Sequence, residues 1–152
     1  VIKYVNAIKN SFLVFEVYRF TYSEKEKLRS PKKLYLVDTT FSNLFEKGLD
    51  TGRKVENLIF IDLLRRYKGV FYYTTKSGKE IDFYIPGHKL LIEVSLEPTE
   101  DHIKKVFEAM KELKIDKSYI ITWDYEDVKE LSWFGKKRKI RFIPLWKWLL
   151  KI

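Results

Sequence analysis

The chain has 152 residues, 45% of them hydrophobic, 34% charged and 16% aromatic, a length that suits one domain, or one domain with a piece of another. Ten Tyr, eleven Phe and four Trp exclude a disordered chain, and the absence of Cys excludes a disulfide framework, a thiolate zinc site and a thiol nucleophile, so that with two His any metal site must be built from oxygen ligands. The net charge of +9 is unevenly spread: residues 1–55 hold 11 Lys/Arg against 6 Asp/Glu, residues 56–132 hold 12 against 15, and residues 133–152 hold 7 against none. Two basic ends, of the kind that meet nucleic acid, an acidic partner or a membrane surface, thus flank an acidic middle.

In chain order, Val1–Asn10 has helical spacing and 11–20 alternates as a strand around Leu13, Phe15 and Val17. The charged stretch 22–32 ends in the Ser30-Pro31 turn signal, and Lys33–Val37 is a second short strand. A helix followed by a two-stranded ribbon with a basic tip fits the last third of a winged helix; an irregular hairpin fits equally. Capping residues from Asp38 to Ser42 and punctuation at Gly48 and Gly52 place a boundary near residue 50, separating a winged-helix-like segment, 1–50, from a main domain, 51–152. From there Arg53–Tyr67 is a largely buried helix, stopped by Gly69. Val70–Thr75, Glu80–Ile85 and Lys89–Leu96 form an antiparallel meander across the Ser77-Gly78 and Pro86-Gly87-His88 turns. Thr99–Leu113 is an amphipathic helix, Ser118–Trp123 an apolar strand covered on both faces, Leu131–Phe134 with Lys139–Ile143 a hairpin about Gly135, and Pro144–Ile152 a last helix. The expected fold is α/β, with helices on both faces of a sheet.

No apolar stretch approaches the ~20 residues that span a bilayer, and no signal peptide is seen, so the expectation is a cytoplasmic protein with no membrane partner. The chain begins with Val inside a helix-like pattern, as a fragment of a longer polypeptide would. It has no Gln, one Met and 23 Lys, a composition met in hyperthermophiles and also produced by an AT-rich genome.

Three carboxylates stand where propensity opposes them. Glu93 lies inside the apolar strand Leu90–Leu96 and Asp82 inside Glu80–Ile85, although a buried carboxylate costs several kcal/mol unless paired or bound to a metal. Period-two alternation puts Glu93 and Ser95 on one face. Glu56, near the start of the buried helix, stacks above Phe60 and Leu63. Each has a plain reading: Glu56 answers the helix dipole, Asp82 ends a strand in water, Glu93 pairs with a Lys on the following helix. For the three together, with no Cys or His site available, a divalent-cation site for Mg²⁺ competes with those plain readings; its chemistry is phosphodiester hydrolysis, with a nearby Lys offsetting charge in the transition state.

Asp82 followed by Glu93-Val94-Ser95 resembles the D…(D/E)-x-K motif of restriction-endonuclease-like nucleases, and the order helix, three-stranded meander, helix, strand, with Glu56 on the first helix, resembles their core. The segments Lys33–Asp38, Val55–Arg66, Gly78–Phe83, Leu91–Val94 and Ile143–Trp146 are similar to the domain of unknown function at the C-terminus of archaeal-type AAA+ ATPases. The resemblance implies a nuclease-like domain attached to an ATPase, with DNA as partner, Mg²⁺ on Glu56, Asp82 and Glu93, and the motif's last position at Ser95. That position departs from the pattern, which has Lys there, and a hydroxyl cannot do what an ammonium does. Either Lys79, Lys104 or Lys105 reaches the site, or cleavage is lost. Two functions are consistent with this: a Mg²⁺-dependent nuclease, or an inactive nuclease fold recognising DNA or protein.

Lys136, Lys137, Arg138 and Lys139 follow Gly135 in the expected turn, where they are either solvated or a phosphate-contacting loop. Lys25, Lys27, Arg29, Lys32 and Lys33 offer a second basic loop. Trp146 and Trp148 read as core packing, His88 and His102 as surface residues. No G-x-x-x-x-G-K-[ST] loop is present, so no ATPase activity is assigned to this chain.

Overall fold

Strands β1 (Val14–Val17) and β2 (Lys33–Leu36) pair antiparallel, Val14 opposite Leu36 and Val17 opposite Lys33. They begin the computed structural model, which describes residues 13–44 and 50–151; the helix expected over Val1–Asn10 lies outside it. Between the two strands, the charged stretch expected as a loop holds a short helix, α1 (Glu24–Arg29). Ser23 Oγ accepts the Glu26 N–H at 3.3 Å, Glu24 and Glu26 occupy the first turn and Lys27 and Arg29 the last, which is the charge order a helix dipole favours. Six residues are too few to show a periodic pattern, which is why capping and charge order, rather than hydropathy, mark this helix.

Helix α2 (Thr51–Arg66) starts at Asp50, whose Oδ1 accepts the Arg53 N–H at 2.8 Å, and buries Val55, Ile59, Phe60 and Leu63. It ends as Tyr67 turns extended, and Gly69, at φ 75°, redirects the chain into the sheet. The meander follows as expected: β3 (Phe71–Thr74), β4 (Glu80–Ile85) and β5 (Leu90–Val94) are antiparallel. Helix α3 (Glu100–Leu113) then crosses back to β6 (Lys117–Thr122), parallel to β5. The hairpin β7 (Asp127–Trp133) and β8 (Lys136–Pro144) places β8 parallel to β6 and leaves β7 at the edge, and α4 (Leu145–Leu150) closes the chain. The strand order is β3-β4-β5-β6-β8-β7. Among the described residues the fold is therefore mixed α/β, with a mixed six-stranded sheet and four helices.

The sheet has a core on each face. On one, Val106, Ala109 and Met110 of α3 pack on Leu91, Ile120, Ile140 and Phe142. On the other, α2, Trp148 of α4 and the β1–β2 ribbon share a cluster in which Tyr35 stacks on Phe60 with ring centroids 4.4 Å apart. Asp62 joins the two helices of that face, accepting from the Arg66 guanidinium at 2.7 Å and from Trp148 Nε1 at 3.0 Å. Trp148 is core, as expected; Trp146 is half exposed. Among the described residues no helix is long and apolar enough to cross a membrane.

One placement needs correction. Phe134 and Gly135, at φ 45° and 72°, form the whole hairpin turn, so Lys136–Lys139 open β8 instead of lying in the turn. Strand alternation then sends Arg138 inward. It is 4% exposed, donates from Nε to the Ile115 carbonyl at 3.1 Å and lies over the Trp133 ring.

Candidate functional site

Two strands of the meander bring two acids together. The register Phe83 opposite Ile92, continued by one residue, sets Asp82 across from Glu93, and Asp82 Oδ2 accepts the Val94 N–H at 2.9 Å. Glu93 is 2% exposed. Lys105, in the second turn of α3, brings Nζ to 2.6 Å from Glu93 Oε1 and donates to the Glu80 carbonyl at 3.0 Å. Glu93 Oε2 is buried with no hydrogen-bond partner among the described residues.

The third acid is joined to these through a lysine. Lys33 Nζ lies 3.0 Å from Glu56 Oε1, 2.9 Å from Glu80 Oε1 and 3.0 Å from Asp82 Oδ1. Tyr35, two residues along β2, donates to the same Glu56 oxygen at 2.6 Å. Asn57 holds β2 in place: its Oδ1 accepts the Leu36 N–H at 2.7 Å and its Nδ2 donates to the Leu36 carbonyl at 2.9 Å, a strand-like pairing made by a side chain. Neighbouring residues of α2 thus supply one acid of the centre and the clamp that brings Lys33 to it.

Four carboxylates and two ammonium groups would leave two excess negative charges if every acid were ionised. The charges adjust accordingly. Burial, then the Asp82 charge, pushes the Glu93 carboxyl well above the usual range, with Lys105 opposing. The same two causes raise Glu56, against Lys33 and Tyr35. One ammonium shared among three acids cannot neutralise them all, so Glu56 rises despite its ion pair. Burial opposes the charge on Lys33, but Asp82, Glu56 and Glu80 outweigh it and hold the ammonium charged. Burial and Glu56 both drive the Tyr35 phenol upward, keeping it a donor.

The oxygen donors suit a hard divalent cation, and Glu93 Oε2 has unused accepting capacity. On Glu56 and Asp82, however, the positive charge is already supplied by Lys33. Ser95, two residues after Glu93, is buried, and its amide donates to the Ile121 carbonyl at 2.9 Å. Of the three lysines considered in its stead, Lys105 reaches the centre. Lys104 turns to Glu100 and Asp101 at 3.6 and 3.8 Å. Lys79 lines a cleft of about 340 Å³ with Asp101, His102 and Lys105. A second cleft, about 350 Å³, opens onto Lys33, Tyr35, Glu56 and Glu80.

Lys136, Lys137, Arg138 and Lys139 are not brought to the carboxylates, since β6 separates β8 from β5. The sequence pattern does not single out Tyr35, Asn57 or Glu80, and it counts Lys33 both as the first residue of the expected strand Lys33–Val37 and among the second basic loop. Signals were present: Lys33 and Tyr35 alternate onto one face, and Asn57 is a polar residue in an otherwise apolar helix interior. His102, read as a surface residue, caps α3, its Nδ1 accepting the Thr99 N–H at 3.1 Å.

The family described as a domain of unknown function, DUF4143, matches residues 51–148, the stretch that carries Glu56, Asp82, Glu93 and Lys105. The chain belongs to the DUF4143 family. The match begins at the first residue of α2, so Lys33 and Tyr35 lie upstream of the DUF4143 region. An uncharacterized protein of Methanocaldococcus jannaschii is 32% identical over 157 residues, covering 97% of this chain and 35% of its own length. One of Haemophilus influenzae is 27% identical over 143 residues, covering 80% and 36%. This DUF4143 chain therefore spans about a third of the length of these curated relatives. No solved structure gives a significant match.

Proposed function

We propose that this DUF4143 chain is a restriction-endonuclease-like domain of a longer AAA-type ATPase, that it contacts DNA, and that Lys33 holds its carboxylate centre in a state that does not cut. The carrying observation is the Lys33 ammonium within 3.0 Å of Glu56, Glu80 and Asp82. The Lys33 ammonium sits among these acids where a cation would, but it carries a single charge and offers no Lewis-acid position at which a water could be activated. The order of α2, meander, α3 and β6 supports the nuclease-like reading, and β1–β2 is the ribbon read as winged-helix-like. Relatives about three times longer leave room for an ATPase.

A second reading, Mg²⁺-dependent phosphodiester hydrolysis, is favoured by Lys105. Its ammonium lies against Glu93 although the motif position itself is Ser95. In that reading Asp82 and Glu93 would hold the ion, which would supply Lewis-acid polarisation of the phosphoryl group, and Lys105 would offset transition-state charge.

Incubation of the chain with supercoiled plasmid and branched DNA in Mg²⁺ or Mn²⁺ tests the choice. No cleavage is expected. Cleavage that disappears in both Asp82→Ala and Glu93→Ala would overturn the first reading and establish the second. Thermal melting of Lys33→Met gives an independent readout: millimolar Mn²⁺ should raise the midpoint of the variant and leave that of the parent chain unchanged, since the freed carboxylates then bind the ion. A parent that responds as strongly as the variant would mean that Lys33 does not occupy the centre.

A further inference from the structure

The basic residues of the second half of the sheet fall into two sets. Registers fix the division: Glu93 is opposite Ile120 and Ile120 opposite Phe142, so the carboxylate of β5 shares the face covered by α3 with Ile140 and Phe142. Arg138 belongs to that face and is buried there. Lys137, Lys139 and Arg141 point to the opposite face, alternate along β8, and are exposed. The next strand adds to the row, because Lys117 of β6 is the direct partner of Lys139. The edge strand adds Ser132, Glu130 and Val128 opposite Lys137, Lys139 and Arg141.

Like charges set directly opposite each other in neighbouring strands cost stability. Of the four cations on this face, Lys139 alone has an ion pair among the described residues, with Glu130 at 2.7 Å. Lys117 directly faces Lys139 and lies diagonal to Lys137 and Arg141, so positive charge gathers on a pleated surface, an arrangement that an incoming polyanion relieves. Cations two residues apart on a strand repeat every ~7 Å, a regular row without pockets to read bases, which suits a phosphodiester backbone bound without sequence preference.

We infer that the exposed face formed by Lys117, Lys137, Lys139 and Arg141 binds the phosphate backbone of nucleic acid. It deepens the DNA-contact reading of the proposed function and rests on it. The row lies on β6 and β8, whereas Asp82 and Glu93 lie on β4 and β5; Glu93 faces the reverse side, while Glu56 and Lys33 belong to the row's own side of the sheet.

Fluorescence anisotropy of labelled single-stranded and duplex oligonucleotides, titrated with the whole chain across a range of salt, tests the assignment. The triple variant Lys137→Gln, Lys139→Gln, Arg141→Gln should lose about tenfold or more in affinity at moderate salt, with the slope of log K against log salt shallower by roughly 2–3. A charge-matched variant with Lys25→Gln, Lys68→Gln and Lys76→Gln should retain most of the affinity, and Arg141→Lys should retain the slope. Equal losses in the two triple variants would overturn the face as the site and leave net charge as the cause. A parent chain that binds poly-glutamate but no oligonucleotide would overturn it in favour of an acidic polypeptide. Cleavage by the parent, with binding still lost in the first triple variant, would sink the non-cutting centre and leave the face standing.

Discussion

At the scale of single residues, Glu93 is a deeply buried acid, and its environment makes a signed prediction. Burial and Asp82 hold its carboxyl above the ordinary 4.5. A group whose value is raised on folding contributes its full stability below the unfolded value and loses it as pH rises through the folded one. Glu93→Gln cannot ionise, so its thermal midpoint should gain on that of the parent as pH climbs, with a larger advantage at roughly pH 8 than at roughly pH 4. A difference that does not change with pH would mean that Lys105 offsets burial and Asp82 and leaves the carboxyl at its unfolded value. Lys33 has the same formal sign with a different window. Its value is raised above 10.5, so its contribution persists across neutral pH and is lost in alkali. The presence of misplaced carboxylates at Asp82 and Glu93 was legible because each interrupts an apolar strand. The partner of Glu93 was legible too, as a Lys of the following helix, and Lys105 is that residue; Lys33 was not, since it is 49 residues from Asp82 and sits in a segment whose local pattern is ordinary.

At the scale of elements, the centre depends on how β2 is tied to α2. No backbone ladder joins them; the two hydrogen bonds between Asn57 and Leu36 tie the strand to the helix. Asn57 is buried, so Asn57→Ala leaves a backbone donor and acceptor unpaired and should cost about 1–3 kcal/mol in chemical denaturation. Hydrogen exchange checks the mechanism: the Leu36 amide should lose protection while amides of β6 keep theirs. Retained protection at Leu36 would show that β2 is held without Asn57, by Tyr35 packing and the contacts of Lys33 and Tyr35 to Glu56. Elements themselves were read well where the pattern is long or the turn chemistry explicit, as for α2, the meander and α3. Helix α1 escaped because capping at Ser23 and charge order, rather than hydropathy, define it. The hairpin was read too short, since Phe134 and Gly135 accomplish the reversal in two residues and free Lys136–Lys139 for the strand.

At the scale of the whole molecule, β1 and β2 complete the core of the six-stranded sheet domain. Tyr35 lies on Phe60 and against Phe83, and the chain after β1 pairs with β3 through Phe20 N–H to the Tyr72 carbonyl at 2.8 Å and Tyr72 N–H to the Tyr18 carbonyl at 3.1 Å. A chain shortened to residues 51–152 exposes that cluster and leaves Glu56 and Asp82 without Lys33. It should melt at lower temperature than the whole chain and bind a dye specific for exposed apolar surface. Equal midpoints and no dye binding would show that residues 51–152 fold independently of the ribbon. Charge obeys the same logic: the acidic middle is the neighbourhood of Lys33 and Lys105, while part of the basic C-terminal stretch becomes an ordered row on β8.

The properties that the sequence alone determined are those set by near neighbours: the α/β class, the periods of α2 and α3, the meander and its turns, and the anomaly of carboxylates within apolar strands. The tertiary structure decided which charges meet. An ion pair depends on the distance between atoms, and strand order and helix crossing set that distance among residues far apart in sequence. Folding therefore turned one surface-type lysine, Lys33, into the counter-ion of a buried acid centre, hid Arg138 beneath the sheet, and aligned Lys137, Lys139 and Arg141 with Lys117 on the opposite face.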